Sequence, residues 1–105
     1  MKDKIHTYIG FAVRSGKVRL GVNAIRTVRG KIPLLILCSS ASENTKKEAV
    51  KLGKKYDSSV VLSKNEKLED VFSKENCKLA AILDVSLANA IIDNLDENFV
   101  QFGGK

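Results

Sequence analysis

Residues 16–29 bring cationic and polar side chains to the predicted start of a helix. Lys17 and Arg19 lie in a short extended stretch, where alternation places both side chains on the same side of the chain. A helix is predicted from Gly21 to Arg29, and its first free N–H groups follow these two cations. Cations close to a helix N-terminus repel the positive end of its dipole unless an anion lies between them. A polyanion is therefore the ligand that this segment favours.

The predicted helix has one apolar and one polar face. Ile25 and Val28 lie three positions apart, on the side that we expect to enter a core. Asn23, Arg26 and Thr27 stand at i, i+3 and i+4 and share a different face. This face therefore shows an amide, a guanidinium and a hydroxyl beside the free N–H groups of the helix start, where a polyanion would bind.

The charge of the chain is strongly segregated, which also favours a polyanionic partner. Residues 1–55 carry 13 lysines and arginines against three acids, a net charge of +10, whereas residues 56–105 carry five against nine, a net charge of −4. The positive half creates a field that attracts phosphates. The alternative is a solvated basic surface that maintains solubility. Five lysines of the following helix are interpreted in that way: Lys46, Lys47, Lys51, Lys54 and Lys55.

The composition disfavours several classes of protein. No apolar run approaches the ~20 residues of a membrane-spanning helix, and the N-terminal residues lack the apolar stretch of a signal peptide. Cys38 and Cys77 have no Cys-x-x-Cys motif, which suggests reduced thiols in a cytosol. His6 is the single histidine, so metal binding and histidine-based catalysis have little support. We therefore expect a cytoplasmic protein with no metal and no cofactor.

Sequence motifs typical of enzymes are also incomplete or have another explanation. The segment from Gly10 to Lys17 has five residues between its glycines, and Val18 stands where a phosphate-binding loop needs Ser or Thr for magnesium. The serines that follow Cys38 have no nearby general base, and helix capping explains them. Asp84 has no partner at ligand spacing and is interpreted as an acid at a helix start. These observations predict a non-enzymatic protein with no small-molecule substrate.

Apolar runs alternate with amphipathic stretches along the whole chain. Three runs without polar alternation predict strands buried on both faces: Leu34–Cys38, Val60–Leu62 and Leu79–Leu83. Amphipathic helices are predicted before, between and after these runs, the first over Asp3–Arg14. The pattern predicts one α/β domain over residues 1–105, a three-layer α/β/α sandwich with a small mixed sheet. The tail, residues 99–105, is expected to fray unless its two phenylalanines dock.

Two segments give the chain a resemblance to a known family. They are AVRSGKVRLGVN at residues 12–23 and LLILCSSASENTKK at residues 34–47. The first is similar to the Gly-Lys-(apolar)-Lys-Lys-Gly-x-Asn-Glu run of the L-seven-Ae ribosomal protein family, the kink-turn RNA binders. The second is similar to a strand and helix start in the small stand-alone bacterial members of that family. The order of predicted elements agrees over nearly the whole chain.

The resemblance implies an α/β/α sandwich that binds structured RNA. In the family, the N-terminus of the second helix enters a widened major groove at tandem sheared G·A pairs, a distortion that ordinary A-form RNA lacks. By position, Gly21 would allow close approach of the backbone to RNA and Asn23 would hydrogen-bond base edges. Lys17 and Arg19 would contact phosphates. The stretch that ends at Lys78 corresponds to the loop that contacts extruded bases in the family.

Together, the residues and the resemblance predict a monomeric, ribosome-associated protein that binds a kink-turn or another structured ribosomal RNA in the cytoplasm. The predicted RNA-binding residues are Lys17, Arg19, Gly21, Val22, Asn23, Arg26, Arg29 and Lys78. The alternative is a protein-interaction module on the same fold that has lost kink-turn binding. That alternative is supported by Ala24 and Thr27, which replace the Glu and Lys of kink-turn binders.

Overall fold

The computed structural model describes residues 4–103, which form five helices and five strands. In chain order they are α1 (Lys4–Arg14), β1 (Val18–Leu20), α2 (Val22–Arg26), β2 (Leu34–Cys38), α3 (Glu43–Tyr56), β3 (Ser59–Ser63), α4 (Leu68–Phe72), β4 (Leu79–Ile82), α5 (Val85–Asp93) and β5 (Phe99–Gly103). The predicted helix start at Asp3 and the last two residues of the tail lie outside the described residues. Within residues 4–103, no helix is long and apolar enough to cross a membrane.

The strands form one mixed sheet in the order β1-β4-β2-β3-β5. β2 and β3 are parallel, whereas the other three pairings are antiparallel. Leu79, the first residue of β4, lies opposite Leu37 near the end of β2. Ala80 lies opposite Leu20, the last residue of β1. The ends of β1 and β2 and the start of β4 therefore lie together at one end of the sheet.

Both faces of the sheet are covered, as the unbroken apolar run of β2 predicts. Leu34, Ile36 and Cys38 belong to one apolar cluster, together with residues of α1, α4 and α5. Leu35 and Leu37 belong to a second cluster, together with residues of α2 and α3. Alternate residues of the strand thus contact opposite layers of helices. The predicted three-layer α/β/α sandwich is confirmed.

The starts of α3 and α5 are fixed by side-chain caps. Ser42 precedes α3 and accepts a hydrogen bond from the Thr45 N–H at 3.1 Å. Asp84 precedes α5, and its carboxylate accepts a hydrogen bond from the Leu87 N–H at 2.9 Å. Such bonds satisfy N–H groups that have no partner within the helix. The interpretation of Asp84 as an acid at a helix start is confirmed.

α2 is shorter than predicted, since it ends at Arg26 rather than at Arg29. The Thr27 N–H bonds to the Ala24 carbonyl at 3.3 Å, and the Thr27 hydroxyl donates to the same carbonyl at 2.8 Å. These tight i→i−3 bonds close the last turn and end the helix. The hydroxyl that was expected on the polar face beside Asn23 is therefore engaged with its own helix.

The exception expected for the tail, docking of its phenylalanines, holds for Phe99, and residues 99–103 do not fray. They form β5, which pairs antiparallel with β3 and places Val100 opposite Leu62. Phe99 is fully buried, and its ring lies edge-to-face against His6 with the ring centroids 5.9 Å apart. The physical reason is that β5 satisfies backbone groups along β3 while its first side chain fills the core.

Candidate nucleic-acid interface

The backbone turns at Gly21, between β1 and α2. Its φ of 89° and ψ of 153° lie in a region that is essentially restricted to glycine. The Gly21 N–H donates to the Leu79 carbonyl at 2.8 Å, and the Gly21 carbonyl accepts from the Ile25 N–H at 3.1 Å. A β-carbon built at this position would meet no atom within 4 Å. The surface in front of Gly21 is therefore open to a close ligand.

Asn23 lies in the first turn of α2 and is exposed. Val22 and Ile25 pack into the second apolar cluster, which orients the helix with its polar side outward. Within residues 4–103, the Asn23 amide has no hydrogen-bond partner. Its donor and acceptor groups are thus available to an external ligand.

Arg26 shares the polar face of α2 with Asn23 but has an intramolecular partner. Its guanidinium Nη2 lies 2.8 Å from Glu48 Oε1 on α3, while 51% of the Arg26 side chain stays exposed. The hydrogen bond from Arg26 lowers the pKa of the Glu48 carboxyl from its ordinary value. Arg26 is therefore oriented by a carboxylate, and an incoming anion or base would have to compete with that carboxylate.

The predicted phosphate-binding cations Lys17, Arg19 and Arg29 are all exposed. Val18 and Leu20 pack against the first apolar cluster, so alternation directs Lys17 and Arg19 toward the side of α2. The Arg19 guanidinium turns back and donates to the carbonyls of Val18 at 2.8 Å and Gly16 at 3.4 Å. Arg29 is exposed and lies beyond the end of α2.

Lys78 is brought next to Gly21 along the backbone, because the Gly21 N–H bonds to the residue that follows Lys78. Its side chain, however, is engaged elsewhere. Lys78 Nζ lies 2.9 Å from Glu69 Oε2 and 3.0 Å from Ser40 Oγ. The hydrogen bond between Lys78 and Glu69 raises the pKa of Lys78 and lowers the pKa of Glu69. The alternation of β4 directs Lys78 toward α4, on the opposite face of the sheet from α2.

Ser40, which contacts Lys78, also contacts a buried thiol. Ser40 Oγ lies 3.1 Å from Cys38 Sγ. Burial by itself raises the pKa of Cys38, but the hydrogen bond with the Ser40 side chain, backbone hydrogen bonds at Leu68 and Ser40, and the nearby charge of Lys78 together bring that pKa below its ordinary value. Burial raises the pKa of Cys77, and the charge of Glu69 adds to that effect. Both thiols are free and buried.

Two residues that hold α2 in place had no predicted role. Glu48 binds Arg26, and the Tyr56 hydroxyl donates to backbone carbonyls at the end of α2, at 2.8 Å from the carbonyl oxygen of Val28. Their side chains lie 22 and 28 residues from these partners along the chain, so no local pattern could reveal the contacts.

Comparison with known proteins extends the description of the fold. No family model matches the sequence, and no curated protein is significantly similar to it. The chain is similar to the solved structure of a Bacillus halodurans protein of unknown function, with a TM-score of 0.71 and 23% sequence identity. The match covers 88% of this chain and 96% of that chain. A likeness at this identity establishes a shared fold alone.

Proposed function

We propose that this protein binds structured RNA without catalysing a reaction, through a surface that comprises Gly21, Asn23, Arg26 and their cationic neighbours. The observation that carries the proposal is Asn23, an exposed amide with no partner in residues 4–103, two residues beyond the open turn at Gly21. Lys17 and Arg29, which precede and follow Asn23 along the chain, are exposed and positively charged. In such a surface, cations hold phosphates and set the position of the protein, while the amide reads a base.

The resemblance of residues 12–23 and 34–47 to the L-seven-Ae family supports the same proposal, and it favours kink-turn-like or other ribosomal RNA as the ligand. The confirmed α/β/α sandwich is compatible with that resemblance. On this proposal the protein is a cytoplasmic, ribosome-associated RNA binder. Arg26 joins the interface when an RNA group takes the place of the Glu48 carboxylate, which is only partly enclosed, with 23% of its side chain exposed.

The second candidate is a protein-interaction module, and the ion pair between Arg26 and Glu48 favours it. A guanidinium that is already satisfied within the molecule gains less from an RNA phosphate, because the existing pair has to open first. The Thr27 hydroxyl is likewise bonded to its own helix. On this alternative, the exposed face of α2 contacts another protein.

Fluorescence anisotropy with a kink-turn RNA and a hairpin of scrambled sequence tests the proposal. Asn23→Ala should weaken binding to the kink-turn RNA by about 1–3 kcal/mol, because a base loses its hydrogen-bond partner, and should affect the scrambled hairpin less. Asn89→Ala is the matched control, since Asn89 is an exposed amide on α5, across the sheet. Equal binding of both RNAs by wild type, unaffected by salt, would favour the protein-interaction module instead.

A further inference from the structure

Three lysines form an exposed line along α3. Lys47, Lys51 and Lys55 stand at successive i, i+4 positions, and all three are exposed. They lie on the side of α3 away from its buried residues, Ala49 and Leu52. We refer to Lys47, Lys51 and Lys55 as the α3 ridge. At ~1.5 Å per residue, the ridge is about 12 Å long.

The positive charge of the α3 ridge is not balanced on its own helix. Lysines at i and i+4 repel each other, and each such pair destabilises a helix slightly. The two acids of α3 are directed elsewhere: Glu43 lies 3.8 Å from Lys46, and Glu48 is bound to Arg26 at 2.8 Å. Within residues 4–103, none of the three ridge lysines has an acid at ion-pair distance. A surface kept only for solubility needs no such uniform line of one sign.

The α3 ridge is joined to the proposed RNA surface by direct contacts. Glu48, one turn from Lys51, binds Arg26 of α2, and the charge of Lys51 helps to lower the pKa of Glu48. At the other end, Lys55 Nζ lies 5.2 Å from the centre of the Tyr56 ring, whose hydroxyl bonds to the end of α2. The ridge and the polar face of α2 are therefore neighbours on one side of the molecule.

We infer that the α3 ridge binds the phosphate backbone of a helical RNA arm that extends from the bases contacted by α2. This inference rests on the proposed function and assigns a second part to the same interface. Double-stranded DNA presents one phosphate charge per ~1.7 Å of its axis, and a helical RNA arm likewise carries one phosphate per nucleotide, so an arm lying along about 12 Å of ridge offers several phosphates to three ammonium groups. Lysine, a point charge on a flexible stem, suits contacts that do not depend on sequence.

The test measures the salt dependence of binding with two kink-turn RNAs, one with long helical arms and one with arms cut to a few base pairs. The ridge variant is Lys47→Gln, Lys51→Gln and Lys55→Gln combined. The matched control has the same loss of charge elsewhere: Lys4→Gln, Lys64→Gln and Lys67→Gln, all exposed and located on or beside α1 and α4. Asn23→Ala is measured in parallel with the short-armed RNA.

For wild type, we expect log K against log salt to be steeper by about 2–3 with the long-armed RNA, since each lysine releases about one counterion. Between roughly 50 and 200 mM salt, the ratio of the affinities for the two RNAs should therefore change by ~15–60-fold. In the ridge variant, the salt dependence should be the same for both RNAs, whereas the control should keep the steeper salt dependence with the long-armed RNA. An equal loss with both RNAs, or the same loss in the control, would overturn the inference.

The two proposals can fail separately in this experiment. If Asn23→Ala leaves the short-armed RNA unaffected, the base-reading function is wrong, whereas a dependence on arm length that only the ridge variant loses still establishes the phosphate contact. If Asn23→Ala weakens binding and arm length has no effect, the base-reading function stands and the ridge plays no part.

Discussion

At the scale of single residues, Gly21 links the fold to the proposed function. Gly21 connects the end of β1 to the start of α2 with a positive φ of 89°. Its N–H donates a hydrogen bond to the Leu79 carbonyl on β4. Glycine adopts this backbone conformation without a steric penalty, whereas residues with a β-carbon are strained there. The same residue leaves the surface open where a ligand would approach.

Gly21→Ala should therefore lower the free energy of unfolding by about 1–3 kcal/mol, although the added methyl group would contact no neighbour. Chemical denaturation followed by circular dichroism measures the effect. Gly10→Ala is the control: Gly10 lies inside α1, its added β-carbon would be 3.9 Å from the nearest atom, and the change should stabilise by about 0.5–1 kcal/mol. An unchanged stability of Gly21→Ala would show that the backbone at this position readily takes another conformation.

The exposed position of Asn23 could be predicted from the sequence, but the ion pair of Arg26 with Glu48 could not. Spacing alone places Asn23 and Arg26 on one side of a helix, because helical geometry is local. The contact of Arg26 with Glu48 depends on how α2 packs against α3, which a pattern within one segment cannot specify. Lys78 shows the same limit, since its partner Glu69 belongs to a different helix.

At the scale of elements, α2 depends on α3 for its position. A helix of five residues is too short to be stable alone, so tertiary contacts have to hold it. The Tyr56 hydroxyl holds the C-terminal end of α2 through hydrogen bonds to backbone carbonyls. Glu48 binds the exposed guanidinium of Arg26, the last residue of α2. These two contacts add to the packing of Val22 and Ile25, which directs Asn23 toward solvent.

The contact between Glu48 and Arg26 should make stability depend on pH. The hydrogen bond from Arg26 lowers the pKa of Glu48 in the folded protein, so its carboxylate stabilises the fold above the unfolded pKa of about 4.3, and this contribution is lost as the pH falls through the folded value. Urea denaturation should show wild type more stable than Glu48→Gln at about pH 6, with the difference shrinking toward about pH 3.

Glu75→Gln is the control for removing one negative charge, because Glu75 is exposed on a loop and has no ion-pair partner in residues 4–103. A difference between wild type and Glu48→Gln that is as large at acidic as at neutral pH would mean that the carboxylate charge plays no part in holding α2.

At the scale of the whole molecule, the layers could be predicted from the sequence, but the order of the strands could not. The runs Leu34–Cys38 and Leu79–Ile82 are apolar throughout, and such strands need helices on both faces. Their neighbours are chosen by contacts between distant segments, as in the antiparallel insertion of β4 between β1 and β2. The proximity of Gly21 to Leu79 follows from that insertion alone.

The tail shows how a distant contact overrides a local expectation. The sequence predicts fraying with docking of the two phenylalanines as the exception, since a local pattern cannot show which distant strand would pair with residues 99–103. Here β5 completes the edge of the sheet along β3, and Phe99 enters the first apolar cluster with no exposed surface, whereas Phe102 remains 40% exposed. The two phenylalanines therefore differ in what they contribute to folding.

Phe99→Ala should cost about 3–5 kcal/mol of unfolding free energy, because it removes a fully buried ring that also contacts His6 and leaves a cavity beneath β5. Phe102→Ala is the matched control three residues along the same strand, and its exposed position predicts a change within about 0.5 kcal/mol. Thermal and urea denaturation of the two variants measure both values. Small and equal effects would mean that the tail frays in solution, whereas a large effect confined to Phe99 requires β5 to be a stable part of the sheet.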